Sequence, residues 1–244
     1  MPVGFEEDRI FKVAEDLKAD KVVLIANRGD SDDARKHLEK AKQKLIDMGY
    51  DPLVKECDIF DLYESLGLIA NIIAQFSDDE VYVNVSTGSK VTAIAGMIAA
   101  MMTGANAYYA RAKEYRSDDV PRGIDTIFQL PNYPIESPEK KHVLVLKYLE
   151  KNGEIDVTKS DLIDFAENSG LKFISDKDVS RKAKYRLLDN HIISPLLNRG
   201  YIRIEEKGRN RLVSISNDGR DFVEAFGFMS KTYEENEKSA ITAR

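Results

Sequence analysis

The chain has 244 residues, 43% of them hydrophobic and 32% charged, a balance that excludes large-scale disorder and suits one large domain or two modest ones. One cysteine, Cys57, and the lack of any Cys/His cluster exclude an intrachain disulfide and argue against a structural zinc, so neither metal nor cofactor is expected. The net charge of −6 speaks against a polyanionic partner only if it is spread evenly. It is not: residues 1–138 carry 16 Lys and Arg against 24 Asp and Glu, residues 139–220 carry 17 against 13, and the stretch 176–220 carries 11 against 6.

The first half alternates strand and helix patterns. KVVLIA (21–26) is a continuous apolar run, as in a strand buried on both faces. Ala34, Leu38, Ala41, Leu45 and Met48 then make one apolar helical stripe. PLVKEC (52–57) reads as a strand, and Leu62, Leu66, Ile69, Ile73 and Phe76 repeat the stripe. VYVNV (81–85) is a strand, Val91 to Met102 a helix, NAYYARA (106–112) a strand, and TIFQL (126–130) closes the sheet. Strands separated by helices of this length imply right-handed crossovers and a parallel sheet, hence an α/β, Rossmann-like domain over 1–130. G-x-G-x-x-G is missing, so it is not a dinucleotide domain.

The most informative stretch is VNVSTGSKV (83–91), where a buried strand runs into Ser86, Thr87, Gly88, Ser89 and Lys90 and then into an apolar helix. A helix N-terminus offers free N–H groups and partial positive charge, Gly88 allows close approach, the hydroxyls donate hydrogen bonds, and Lys90 adds a full charge. The same residues also read as a capped turn, with Thr87 capping and Gly88 giving tightness. It is not a Walker A loop: position 83 is Val where the first glycine would stand, and Val91 follows Lys90. If the strands are parallel, the turns at Gly4-Phe5 and Asn27-Arg28-Gly29 share the same sheet edge, although they read equally as a tight turn and a solvated arginine.

PNYPIESPEK (131–140) has three prolines in ten residues and is a linker. Within it, Ser137 reads as an N-cap with Pro138 at the first helical position. Residues 141–229 run helix, helix, helix, hairpin, helix, followed by a polar tail over 230–244. Val143, Leu146 and Leu149 mark the first helix; Thr158 and Asp161 form a capping box for the second; Ser175 and Asp178 form one for the third, which runs toward Asn198. In DVSRKAKYRLLDN (178–190), Ala183 and Leu187 face the core, leaving Arg181, Lys182, Lys184, Tyr185 and Arg186 outward. RGYIRIEEKGRNRLVSI (199–215) alternates as a hairpin with Lys207, Arg209 and Arg211 at its tip, and a last helix buries Phe222, Val223 and Phe226. This is the order of a winged helix-turn-helix, whose third helix enters the major groove while the wing reaches the backbone or minor groove. A solvated basic helix beside a charged hairpin, or a protein-interaction module, is the plainer alternative.

Through SPLLNRGYI (194–202), KGRNR (207–211) and SNDGRDF (216–222), the second half resembles the winged helix-turn-helix of MarR-like prokaryotic regulators. VGFEEDRI (3–10), DKVVLIANR (20–28) and NVSTGSK (84–90) resemble the CRISPR-associated Rossmann-fold (CARF) domain, most closely archaeal CARF–winged-helix regulators. That resemblance implies a homodimeric sensor binding a nucleotide-type ligand, cyclic oligoadenylate in many members. It places Gly4 and Phe5 in a first binding loop, Asn27 and Arg28 in a second, and Ser86, Thr87, Gly88, Ser89 and Lys90 at the main phosphate and ribose contacts. Two features depart from the family pattern. Ser89 stands where a second glycine is usual, and only Met1-Pro2-Val3 precedes the Gly-Phe turn.

The expectation is a cytoplasmic, ligand-responsive transcription regulator with double-stranded DNA as partner. The apolar run 91–105 is too short for a membrane span, and the acidic N-terminus is unlike a signal peptide. Ring cleavage of a cyclic oligoadenylate is the enzymatic alternative; with no carboxylate or histidine in NVSTGSK to serve as base, no catalytic residue is assigned.

Overall fold

The computed structural model describes residues 1–230 apart from Phe5, Glu7, Asp30, 116–120, Glu154, 176–178 and 208–209. The chain divides into two compact units, Met1–Ser137 and Pro138–Arg244. Among the described residues no helix is long and apolar enough to cross a membrane.

The first unit begins with Met1–Val3 lying parallel to β1 (Val23–Asn27): Val3 N donates to Ile25 O at 2.8 Å and Ile25 N to Met1 O at 2.9 Å. Between them runs α1 (Asp8–Asp16), a helix that the sequence reading did not assign. Its buried Ile10, Val13 and Ala14 show the i, i+3, i+4 spacing that was there to be read. Next come α2 (Asp32–Asp47), β2 (Leu53–Cys57), α3 (Leu62–Gln75), β3 (Tyr82–Asn84), α4 (Lys90–Thr103) and β4 (Asn106–Arg111), at the expected places. A short hairpin, β5 (Glu114–Tyr115) with β6 (Pro121–Arg122), precedes β7 (Thr126–Gln129).

β1 pairs with β2, and β3 with β4, in parallel. β7 corrects the expectation of an all-parallel sheet: it runs antiparallel to β4, because a hairpin and not a helical crossover joins them. The core on one side of the strands gathers Ile10 and Ala14 of α1, Leu38, Ala41 and Leu45 of α2, and Leu24 and Ala26 of β1. Val13 continues it onto Tyr108 and Ala110 of β4. α3 and α4 pack elsewhere; a Cβ on Gly96 of α4 would stand 3.1 Å from Val83 and 3.2 Å from Val85. A cavity of about 540 Å³ lies between β1 and β3, lined by Leu17, Val23, Ile25, Ile69, Ile73 and Val83 among others. It reaches toward the amino ends of these strands, away from the turns that follow their carboxyl ends.

The second unit opens with α5 (Lys140–Lys151). Its N-cap is Glu139, without a side-chain cap bond, whereas the expected cap Ser137 donates to Met102 O at 3.2 Å. α6 (Lys159–Asn168) has the expected capping box of Thr158 and Asp161. The third helix starts later than expected: α7 (Arg181–Leu188) is capped by Ser180, while Ser175 N closes a turn onto Leu171 O and Asp178 lies outside the described residues. α7 continues through a π-helical segment, Asp189–Ile193, into α8 (Ser194–Asn198). β8 (Ile202–Lys207) and β9 (Asn210–Ile215) form the expected hairpin, with Lys207 opposite Asn210, and α9 (Asn217–Phe226) follows, buried through Phe222 and Val223. A third strand position escaped the sequence reading. Val213 N donates to Val157 O at 2.8 Å, and Thr158 bridges Leu212. One core unites all these elements, from Leu146 and Leu149 of α5 to Leu162, Leu188, Leu196, Val213 and Phe222.

Candidate functional site

Parallel strands deliver their carboxyl ends to one rim, and four turns meet there. Gly4 backs directly onto Gly88: a Cβ at Gly4 would lie 2.9 Å from Gly88 N. Gly88 has φ +81°, and a Cβ on it would stand 2.5 Å from Pro2 Cβ, so only glycine fits. The third and fourth turns meet at a residue that the sequence reading passed over. Ile59 N donates to Asn27 Oδ1 at 3.2 Å, and Ser89 Oγ donates to Ile59 O at 2.5 Å. The turn after β2 therefore belongs to the rim, and it carries Phe60, which is 68% exposed. An aromatic residue three positions beyond the end of β2, just before the helix that follows, was the available signal. Phe5 lies outside the described residues.

The hydroxyls of the Ser86–Lys90 turn are committed to holding it. Ser86 Oγ accepts from Ala110 N at 2.6 Å, and Thr87 Oγ1 donates to Pro2 O at 2.6 Å. Ser89, not Thr87, is the N-cap of α4: its Oγ accepts from Thr92 N at 3.0 Å. Thr87 cannot serve because its side chain is buried against the N-terminal segment. What remains for a ligand is the positive helix end, the main chain at Gly88 and the exposed Lys90. Arg28 is exposed and ion-paired to Glu64 in the first turn of α3, an arrangement in which an incoming anion competes with one carboxylate.

A buried network underlies the turn. Asn84 Nδ2 donates to Arg9 O at 2.9 Å, Ser86 N donates to Asn84 Oδ1 at 2.8 Å, and Arg9 Nη1 donates to Ser86 O at 2.9 Å. Arg9 and Asn84 stand inside the motifs VGFEEDRI and NVSTGSK, but the sequence gives neither a role, because spacing along the chain carries no sign that the two will meet beneath the turn. No group of three or more His, Cys, Asp or Glu able to hold a metal gathers among the described residues.

In the second unit the basic helix is partly spoken for. Arg181 reaches Asp164 at 2.8 Å and Ser160 at 2.7 Å, and Lys184 pairs with Glu167, so both clamp α7 to α6. Tyr185 does not point outward as expected; it is half-buried and packs on the core, since α7 turns Leu188 and Tyr185 inward. Lys182 and Arg186 are exposed one turn apart, and Asn190 and Ser194 extend that row along the same continuous helix. On the wing, Lys207 pairs with Asp156 at 2.5 Å and Arg211 with Glu206 at 3.2 Å, both exposed pairs of small worth that a phosphate can replace. Arg209 lies outside the described residues.

Comparison with known proteins fits this two-part build. Residues 1–115 match the family model described as HFX_2341_N:-like, N-terminal, and residues 141–227 match the DUF6293 C-terminal winged helix domain. An uncharacterized protein of Methanocaldococcus jannaschii, MJ1513, is 26% identical over 226 residues; the match covers 73% of this chain and 66% of that protein, so the chain spans just under two thirds of that relative's length. An uncharacterized protein of Archaeoglobus fulgidus is 22% identical over 200 residues, covering 81% of this chain and 84% of that one. Among solved structures, Can2 from Sulfobacillus thermosulfidooxidans in complex with cyclic tetra-adenylate aligns with 100% of this chain and 67% of its own, at 14% identity and a TM-score of 0.41.

Proposed function

We propose that the protein is a homodimeric, ligand-responsive DNA-binding regulator. The first unit binds a nucleotide-type anion, with cyclic oligoadenylate the leading candidate, and the winged helix binds double-stranded DNA. The observation that carries the sensor reading is the convergence of Gly4, Asn27, Ile59 and Gly88 on one rim, beside an exposed lysine and a helix N-terminus. Gly4, Asn27, Arg28 and the turn Ser86–Lys90 shape and charge this rim. The exposed Phe60 supplies a ring on which a base can stack. The winged helix and its exposed Lys182 and Arg186 support the DNA reading. The linker 131–140 is the pivot through which ligand biases two winged helices, by binding one arrangement more tightly than the other.

Calorimetric titration with cyclic tetra-adenylate tests the ligand. Wild type is expected to bind, and Phe60→Ala to weaken binding by roughly 5- to 150-fold, the worth of about 1–3 kcal/mol of base stacking, with the fold intact. No heat with wild type would refute this ligand. Linear products after hours of incubation would show ring cleavage, a reading disfavoured because the three hydroxyls of the turn are engaged with the main chain. Gel shift at two salt concentrations tests the DNA reading; binding that ignores salt would point to a protein partner in place of DNA.

A further inference from the structure

The long strands of the first unit fall into two groups, β1 with β2 and β3 with β4 and β7, and the cavity of about 540 Å³ lies between the groups. Main-chain groups face it from both sides. In a parallel ladder the N–H and C=O of one residue point to the same neighbour. Ile25 uses both on the N-terminal segment, donating to Met1 O and accepting from Val3 N, and Val23 O accepts from the Met1 amine at 2.7 Å. The N–H of Val23, which lines the cavity, points along that same edge to a place beyond Met1. On the opposite side Val81 O accepts from Asn106 N and Val85 N donates to Tyr108 O. These bonds commit Val81 and Val85 to β4 and turn the main chain of Tyr82 the other way, toward the cavity. Buried main-chain groups require partners. The walls are apolar, with Leu17 just past α1, Ile69 and Ile73 of α3, and Val81 and Val83, while the exposed Lys18, Asp20, Asp79 and Glu80 mark the mouth. Desolvation of the Met1 amine at the inner end pushes its pKa down to about 5. A peptide nitrogen at that point would keep the bond to Val23 O and carry no charge.

We infer that this cavity is a strand-binding slot, and that its occupant is an extended, apolar stretch of the same polypeptide joined to the Met1 nitrogen and running parallel to β1 and β3. The carbonyl two residues ahead of Met1 accepts from Val23 N, and the other edge of the stretch pairs with Tyr82. Seated there, it unites the two groups into one sheet in the order β2, β1, inserted strand, β3, β4, β7. Apolar side chains on both of its faces suit a central parallel strand. Pro2 lies opposite Ile25, which puts the third residue ahead of Met1 opposite Lys21 at the mouth, so about three or four residues at about 3.3 Å each fill the slot. A small apolar ligand would fill the volume but leave the main-chain groups of Val23 and Tyr82 unpaired. The strand also bears on the rim: it continues into Pro2, whose carbonyl accepts from Thr87 Oγ1 and whose ring backs onto Gly88.

The test adds residues ahead of Met1 in the full chain. One series places the last one, two, three or four residues of Ile-Val-Ile-Val between an initiator methionine and Met1; a control series does the same with Gly-Ser-Gly-Ser. The thermal midpoint and the amide hydrogen exchange of Val23 and Tyr82 are followed by calorimetry and NMR. The apolar series is expected to raise the midpoint residue by residue, by roughly 5 °C or more in all, and to level once the slot is full. Exchange at Val23 and Tyr82 is expected to slow by about tenfold or more, and the control series to gain little of either. The shorter additions keep the test decisive if the longest does not fold. Equal midpoints in the two series, or unchanged exchange at Val23, overturns the assignment. Protection of Val23 in the unextended protein that grows with protein concentration overturns it as well, and gives the slot to a second copy of the chain.

Discussion

His142 supplies to the third helix of the winged domain the hydrogen bond that Pro195 cannot. Pro195 stands four residues beyond His191 and has no N–H to return to its carbonyl; His142 Nε2 donates to that oxygen at 2.9 Å from the first turn of α5. The π-helical segment at Asp189–Ile193 lies just ahead of the proline, where such a widening absorbs the break. Replacing His142 by Ala is expected to lower stability by about 1–3 kcal/mol, the cost of an unsatisfied buried carbonyl. The loss should shrink in a Pro195→Ala background, where a new N–H is within reach. Urea unfolding of the two single variants and the double variant checks this; equal losses in both backgrounds would detach His142 from the proline.

The same histidine makes stability depend on pH. Burial lowers the His142 pKa below 6.5, and its Nδ1 has no hydrogen-bond partner among the described residues, so the ring is neutral in the fold. The unfolded chain takes up a proton at about pH 6.5 that the folded chain takes up only at lower pH. Stability is therefore full above pH 6.5, falls as the pH drops toward the folded value, and levels below it. The urea midpoint measured from pH 8 to 5 should fall in wild type and fall less in His142→Gln; parallel curves would refute the assignment.

Two left-handed glycines at the rim predict different costs. A methyl added to Gly29, at φ +76°, would meet nothing within 4 Å, so Gly29→Ala should cost only the backbone strain of about 1–2 kcal/mol. Gly88→Ala adds a clash with Pro2 and should cost more, while also reducing ligand affinity. Thermal unfolding ranks them, and equal losses would mean that the N-terminal segment yields freely.

For DNA, Lys182→Ala and Arg186→Ala should each weaken binding and lower the slope of log affinity against log salt by about 1. Arg181→Ala and Lys184→Ala remove ion pairs to α6, so part of their effect should appear as lost stability. Salt titration of the four variants separates the classes, and an unchanged slope for Lys182 and Arg186 would remove α7 from the groove.

Periodicity carried most of the architecture. The stripes of α2 and α3, the runs of β1 and β3, the capping box at Thr158 and the alternation of β8 and β9 are local patterns, set by which face of each element must be apolar. The nine-residue α1 was missed beside the Gly4 turn, and the direction of β7 depended on the hairpin before it, which offers little local signal.

The order of elements in the two parts of the chain and the turn from Ser86 to Lys90 are legible in local spacing. That Ile59 and Phe60 join that rim, that the turn's hydroxyls are tied inward, and that Arg9 is buried beneath it came into view with the folded chain. Secondary structure follows from spacing along the chain, whereas the partner of a polar atom is fixed by which distant segments are brought within hydrogen-bond reach, and spacing carries no record of that.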